Sequence, residues 1–258
     1  MKLFVQATLD YDLAETSNLL LQLEAASLPG QVISQPRLSL SETAHIARVA
    51  GHSTVGERIW LRVLGRLTVD YQAVVEVTRS AADLENLPAA DLHALPGDAV
   101  EYLLPSRYCQ SDQFTNFVDA QFPGLAGGEL VLAIRDWIEA KFAYVPGSST
   151  SETTALDSFV RREGICRDYA HVLIALVRAC GIPARFASVY ALGVTPQDFH
   201  AVAEVFVGGE WHLVDPTGMA NAGATAIIGV GRDAADVSFL TAYGFAELVA
   251  LSVAVTAL

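Results

Sequence analysis

The spacing of apolar residues changes its period between the two halves of the chain. Up to about Arg79 the apolar positions are rich in β-branched and aromatic side chains, which are typical of strands. Beyond residue 129 apolar residues recur at intervals near three and four, which predicts helices with one apolar face. The strands predicted in the first region, which Gly30 and Gly65 punctuate, are residues 3–9, 58–64 and 69–77.

Two helices are predicted in the second half, over residues 129–142 and 166–180. The second ends at Gly181, a typical C-terminal cap, and Pro183 cannot continue it. Because antiparallel strand-like runs follow the helices without any strand–helix alternation, we expect the α+β class, with helices packed on an antiparallel sheet. The strands predicted here are residues 184–192, 200–207, 211–214 and 247–256.

Residues 81–97 fit neither pattern. This segment contains Pro88 and Pro96 and mixes small with acidic residues, which is typical of a connection between two folding units. A chain of 258 residues is long enough for one large domain or two small ones. We therefore expect an N-terminal β-rich domain over residues 1–100 and a second domain over residues 101–258.

Composition and charge exclude several classes of partner. With 52% hydrophobic and 17% charged residues the chain is a folded globular protein. Its formal net charge of −13 opposes binding to nucleic acid or to anionic lipid, so we expect neither nucleic acid nor membrane as a partner. The N-terminus lacks the apolar core of a signal peptide, and the longest uncharged apolar stretch, residues 248–258, is shorter than the ~20 residues that span a bilayer. We expect a cytoplasmic location.

The three cysteines are too few and too far apart for a disulfide framework, and no CxxC pair suggests a zinc or redox centre. Cys166 stands where a helix is predicted to begin. There the positive end of the helix dipole and the unpaired backbone N–H groups stabilise a thiolate. Cys166 is therefore the candidate nucleophile, and Cys109 and Cys180 are interpreted as packing residues.

A cysteine nucleophile needs a base, and His171 is the histidine nearest to it in the sequence. Five residues turn a helix by about 500°, so His171 points about 140° away from Cys166. The same angle argues against a metal site formed by this pair. We therefore interpret His171 as a packed or hydrogen-bonded core histidine.

A predicted hairpin supplies a better partner for Cys166. Gly208-Gly209 is a two-residue turn signal, and it pairs Val207 with Glu210. That register makes Asp215 a diagonal neighbour of His200 on one face, and it turns His212 to the other face. Taken alone, Asp215 before Pro216 also fits the start of a turn. The order Cys166, His200, Asp215 predicts a nucleophile, a proton shuttle and a carboxylate that fixes the imidazole tautomer.

Three sequence blocks resemble the core of the transglutaminase-like superfamily in its bacterial cysteine protease branch: residues 164–171, 178–186 and 199–217. Residues 102–108 and 231–236 add weaker matches. The resemblance implies a papain-like α+β catalytic core behind an N-terminal β-sandwich-like domain. It also implies acyl transfer through a thioester on Cys166, with His200 and Asp215 completing the triad.

The resemblance leaves the acyl acceptor open. We expect water to be the acceptor, because transfer to another acceptor requires a dry tunnel that excludes water. We therefore expect a cysteine protease or amidase acting on a peptide or protein. Transfer to an amine and a catalytically silent peptide-binding module are the alternatives. No calcium-loop pattern occurs, and we expect neither a cofactor nor a metal. The sequence does not determine the oligomeric state.

Two neighbours of Cys166 also carry expectations. An oxyanion hole would include the backbone N–H of Cys166 and a side-chain donor from upstream, for which Tyr144 is the candidate, with burial in the core as its alternative. Asp168 fits the acidic preference of a first helical turn, and we assign it no catalytic role. Because its charge would disfavour a thiolate, we expect it to pair with Arg167 or Arg185.

Overall fold

A computed structural model describes residues 1–80 and 82–258 as an α+β protein with antiparallel sheets, which confirms the predicted class. None of the described helices is long and apolar enough to cross a membrane. The helices are α1 (Gly97–Val100), α2 (Thr115–Gln121), α3 (Gly127–Lys141), α4 (Ala155–Arg161) and α5 (Cys166–Ala179). The strands are β1 (Lys2–Leu21), β2 (Gln31–Leu40), β3 (His45–Ala50), β4 (Glu57–Val77), β5 (Ala143–Tyr144), β6 (Glu163–Gly164), β7 (Ala184–Ala191), β8 (His200–Val207), β9 (Glu210–Val214), β10 (Thr225–Gly231), β11 (Leu240–Tyr243) and β12 (Glu247–Ala257).

The N-terminal region is built on two long antiparallel strands, β1 and β4. β2 and β3 pair with successive parts of β4, and alternate residues of β1 and β4 are buried in one apolar core. The sequence predicted two strands, 58–64 and 69–77, separated by Gly65, but the structure has the single strand β4. Gly65 adopts a left-handed conformation (φ 87) opposite Leu13, where the β1–β4 register shifts, so it bends the strand instead of ending it.

The predicted division at residues 1–100 and 101–258 needs a correction at its C-terminal end. β11 and β12 pair antiparallel with β1 and so belong to the N-terminal sheet. Val253 and Val255 of β12 are buried in the core of that sheet. The pattern of residues 247–256 predicted a strand, but it could not identify β1 as the partner, because pairing between distant segments leaves no local signal.

A second antiparallel sheet, in the order β10-β7-β8-β9, supports α5. α5 is buried along most of its length, because β7 and β8 cover one side and α3 and α4 pack against it. The ends of α3 and α5 agree with the predicted helices within two residues. This arrangement brings the N-terminal end of α5, where Cys166 lies, to the end of the sheet at which β8 begins.

Candidate active site

The hairpin of β8 and β9 sets the position of two candidate site residues. Gly208 and Gly209 form its turn with φ values of 62 and 85, a conformation that favours glycine at both places. The strands pair from Val207–Glu210 to Ala203–Val214, which is the predicted register. His200 Nε2 and Asp215 Oδ2 lie 2.9 Å apart.

The Asp215 carboxylate is held by its own turn as well as by His200. Oδ1 accepts hydrogen bonds from the Thr217 N–H at 2.8 Å and the Thr217 hydroxyl at 2.7 Å, and Oδ2 accepts one from the Ala220 N–H at 2.7 Å. Burial acts to raise the pKa of Asp215, but the bonds from His200 and Thr217 outweigh it and lower this pKa. Asp215 therefore both starts a turn and binds the imidazole, two roles that the sequence analysis treats as separate interpretations.

Cys166 is the first residue of α5 and is half-buried. Asp168 accepts a hydrogen bond from the Ile165 N–H at 2.9 Å and caps the helix. Asp168 is also paired with Arg167 at 3.0 Å, and Arg167 donates to the Thr150 carbonyl oxygen at 2.6 Å. The expected neutralisation of Asp168 thus comes from Arg167, because Arg185 is engaged by Glu204.

His200 lies between Cys166 and Asp215. Burial by itself lowers the pKa of His200, but the hydrogen bond to Asp215 and the interaction with the Cys166 side chain raise it to about 9. Nε2 of His200 faces Asp215. Nδ1 is buried and has no other hydrogen-bond partner among the described residues, so it is the ring nitrogen that can interact with the sulfur of Cys166. The structure therefore places the three predicted site residues together, in an arrangement that favours an imidazolium beside the sulfur.

Tyr144 lies at the same site. β5 pairs with β6, which sets Tyr144 beside Gly164, two residues before Cys166. Burial and the neighbouring Cys166 raise the pKa of Tyr144 to about 12, so its phenol remains a hydrogen-bond donor. Tyr144 is 37% exposed, which excludes the alternative that it is a core residue.

Comparisons with known proteins identify the family. The model of the transglutaminase-like superfamily matches residues 114–216, a range that contains Cys166, His200 and Asp215. The crystal structure of a Cytophaga hutchinsonii protein proposed to be a cysteine protease superposes with a TM-score of 0.92 and 30% identity, covering 99% of this chain and 90% of that one. The chain belongs to the transglutaminase-like superfamily. Because the superposition covers 99% of this chain, it includes the strand-rich N-terminal region as well as the α+β core.

Bacterial relatives of this transglutaminase-like protein include two from mycobacteria, both named only as uncharacterised. A Mycobacterium leprae protein is 33% identical over 117 residues, which are 42% of this chain and 42% of the relative. A Mycobacterium tuberculosis protein is 30% identical over 198 residues, which are 66% of this chain and 62% of the relative. The chain therefore matches about two to three fifths of the length of these relatives.

The other candidate residues of the transglutaminase-like core lie apart from the triad. Cys109 is buried and Cys180 half-buried, and burial raises their pKa values to about 12 and about 11. His212 pairs with Val205 across the hairpin. Among residues 1–80 and 82–258 no group of three His, Cys, Asp or Glu residues is placed to hold a metal ion.

His171 is the hydrogen-bonded core histidine that the sequence suggested. It is fully buried, its ring stacks on Tyr108 with centroids 5.1 Å apart, and its Nε2 accepts a hydrogen bond from the Ala234 N–H at 3.1 Å. Burial lowers the pKa of His171 to about 3. The neutral ring thus joins α5 to the loop that follows β10.

Acid is expected to destabilise the fold through His171. Since the pKa of His171 is about 3 in the folded state and about 6.5 for an exposed histidine, the unfolded chain binds the extra proton between these limits, and stability falls as pH decreases through that window. We expect His171 to contribute a loss of about 2 kcal/mol between pH 7 and pH 5, at ~1.4 kcal/mol per unit, and the raised pKa of His200 to offset part of it. Urea unfolding at the two pH values measures it.

The variant for this experiment is His171→Gln, which keeps an acceptor for Ala234 and cannot titrate. It is expected to lose the destabilisation by acid that His171 contributes between pH 7 and pH 5, so that its stability no longer falls over this interval. The control variant His93→Gln changes an exposed histidine and is expected to behave as the wild type. An unchanged pH dependence in His171→Gln would show that another group carries the acid sensitivity.

Proposed function

We propose that this protein is a cysteine-dependent acyltransferase that hydrolyses peptide or amide bonds. The proposal is carried by one observation: a single imidazole is hydrogen-bonded to Asp215 and lies beside Cys166 at the start of a helix. That arrangement supplies a nucleophile, a proton carrier and a group that orients the carrier. The likeness to the Cytophaga protein supports the protease assignment.

In the acylation step the Cys166 thiolate attacks the substrate carbonyl carbon and forms a C–S bond. The carbonyl electron pair moves to oxygen, where the Cys166 N–H and the Tyr144 hydroxyl are the donors we assign to the oxyanion. When the tetrahedral intermediate collapses, the C–N bond breaks and the His200 imidazolium gives its proton to the leaving amine. The product is a thioester on Cys166, with neutral His200 beside it.

In the second step His200 takes a proton from water, and the resulting hydroxide attacks the thioester carbonyl. The C–S bond breaks, the carboxylic acid leaves, and the thiolate–imidazolium pair is restored. Asp215 keeps the imidazole in one orientation throughout, because its own bonds to Thr217 and Ala220 fix the carboxylate. We also propose the cytoplasm as the location, because a reducing compartment preserves an unpaired thiol.

The test uses denatured casein and a mixture of fluorogenic peptide amides as acyl donors, in ¹⁸O-labelled water with and without an alkyl primary amine. Wild type is expected to release peptides with ¹⁸O at the new carboxyl group and to form an acid-stable acyl adduct on Cys166. Cys166→Ala is expected to do neither, while Cys180→Ala, a matched control at a half-buried thiol away from the triad, behaves as wild type.

Three results would overturn the proposal in distinguishable ways. Equal turnover by wild type and Cys166→Ala would show that Cys166 is not the nucleophile. Incorporation of the amine in preference to ¹⁸O would identify the alternative, transamidation. Binding of the peptides without any adduct or release would identify the silent peptide-binding module.

A further inference from the structure

The register of β7 and β8, continued to residue 198, places Asp198 on the same side as the imidazole of His200. β7 and β8 pair Val189 with His200, and continuing that register sets Tyr190 beside Phe199. The rings of Tyr190 and Phe199 do lie side by side, with centroids 5.6 Å apart. Because successive residues of an extended chain alternate sides, Phe199 points into the core, and Asp198 shares the side of His200.

Two anchors hold this segment in place. The Gln197 side-chain amide donates to the Val255 carbonyl oxygen at 2.9 Å and accepts from the Val255 N–H at 3.1 Å, as a neighbouring strand would. Phe199 stacks on Phe239, with centroids 4.9 Å apart and 14° between the rings. Asp198 lies between the two anchors, and its Oδ1 accepts a hydrogen bond from the Phe199 N–H at 2.7 Å.

The fixed carboxylate of Asp198 is exposed and has no cation of its own. Among the described residues no lysine, arginine or histidine lies within 4.0 Å of it as an ion pair. Burial of part of the side chain raises the pKa of Asp198, while the Phe199 N–H and the charge of His200 act to lower it. Its negative charge also contributes to the raised pKa of Tyr144. Asp198 therefore acts electrostatically on both sides of the site.

We propose that Asp198 determines specificity by attracting substrates that carry a positive charge next to the reacting carbonyl, such as lysine or arginine peptides. The inference rests on the proposed function, because it concerns the entrance to the same thiol. An unpaired carboxylate beside the reacting group raises the local concentration of cations and lowers that of anions. It also makes no demand on the shape of the substrate, so charge is the property to test.

Three methanethiosulfonate reagents test this without knowledge of the substrate. They share one reactive group and carry a trimethylammonium ethyl, a sulfonatoethyl or a methyl substituent, which are cationic, anionic and neutral. Their second-order rate constants with Cys166 are measured at pH 7 by peptide mapping. In wild type the cationic reagent is expected to react faster than the anionic one, and Asp198→Asn is expected to reduce that ratio about tenfold.

The variants separate local charge from other effects. Asparagine keeps an acceptor for the Phe199 N–H, so Asp198→Asn removes the charge and leaves the anchor. The control Asp91→Asn removes one exposed charge beside Leu92, whose side chain lies near Gly181 at the opposite end of α5 from Cys166, and the ratio is expected to stay unchanged.

The outcomes distinguish this inference from the proposed function. An unchanged ratio in Asp198→Asn, or an equal fall in Asp91→Asn, would overturn the role of Asp198. The neutral reagent reports on the thiol alone: if it reacts no faster than with an ordinary exposed cysteine, the proposed catalytic role of Cys166 is contradicted, whatever the ratio. Once a substrate is found, Asp198→Asn is expected to raise KM for cationic substrates more than KM for neutral ones.

Discussion

Replacing His200 by alanine is expected to slow alkylation of Cys166 by iodoacetamide at pH 7 at least tenfold. It is also expected to lower amide turnover by about a thousandfold or more, since members of such a triad act as a unit. An unpaired cysteine is only a few per cent thiolate at pH 7, whereas a cysteine beside an imidazolium is held in the reactive form. A lower thiol pKa increases the thiolate fraction and reduces the nucleophilicity of each thiolate, and at pH 7 the first effect on the rate is the larger one.

The pH profile gives this prediction its signature. Because the pKa of His200 is raised to about 9, the imidazolium persists through neutral pH and loses its proton only as pH rises through 9. Amide turnover needs that proton for the leaving amine and is expected to fall above pH 9. Alkylation needs no acid and is expected to persist there. In His200→Ala the alkylation rate should rise with pH as it does for an ordinary thiol.

Two further variants sharpen the comparison. His212→Ala removes the histidine that pairs with Val205 in the same hairpin, and it is expected to react as wild type. Asp215→Asn removes the charge beside Nε2 and is expected to lower turnover more than alkylation, because the imidazole loses its fixed tautomer. Alkylation that is as fast in His200→Ala as in wild type, with the same pH profile, would show that the triad is not assembled.

The parts of the site that follow local rules could be predicted from the sequence. The two glycines at 208 and 209 determine the register of β8 and β9, and that register brings Asp215 to His200. The helical rotation between Cys166 and His171 likewise separates them, and His171 is found in the core. Each prediction needed only residues that are close in the sequence, so the geometry was fixed by a few dihedral angles.

The parts that depend on distant pairing could not be predicted in the same way. The sequence names Tyr144 as a candidate donor but does not give its position, because that position beside the residues before Cys166 depends on the β5–β6 pairing. The contact of Gln197 with Val255 joins residues 58 positions apart and has no sequence signal. β12 was predicted as a strand but assigned to the wrong region, because strand formation is a local property and the choice of partner is a global one.

Arg178→Met is expected to lower the free energy of unfolding by about 3–5 kcal/mol, because it removes four hydrogen bonds made by one charged donor group. Arg178 lies near the end of α5 and is only 3% exposed. Burial lowers its pKa, yet its guanidinium remains charged, and each of its three nitrogens donates at least one hydrogen bond. It donates to four acceptors on three separate segments: the carbonyl oxygens of Ala184 at 2.8 Å, Leu104 at 3.0 Å and Arg232 at 2.6 Å, and the Ser106 hydroxyl at 3.2 Å.

Methionine fills a similar volume but removes the donor from all four acceptors, of which the bond to Ala184 is buried and the other three are partly buried. The loss of these four bonds explains the size of the expected effect. Arg178→Lys keeps the charge but lacks the planar fork that reaches several carbonyls, so it is expected to lie between methionine and wild type. The control Arg66→Met removes an exposed arginine whose Nε donates to Asp10 at 2.7 Å, and it is expected to unfold close to wild type. Urea unfolding measures the stability of all three variants. If Arg178→Met lies within about 1 kcal/mol of wild type, which is the size of a surface ion pair, then solvent or neighbouring donors replace the guanidinium.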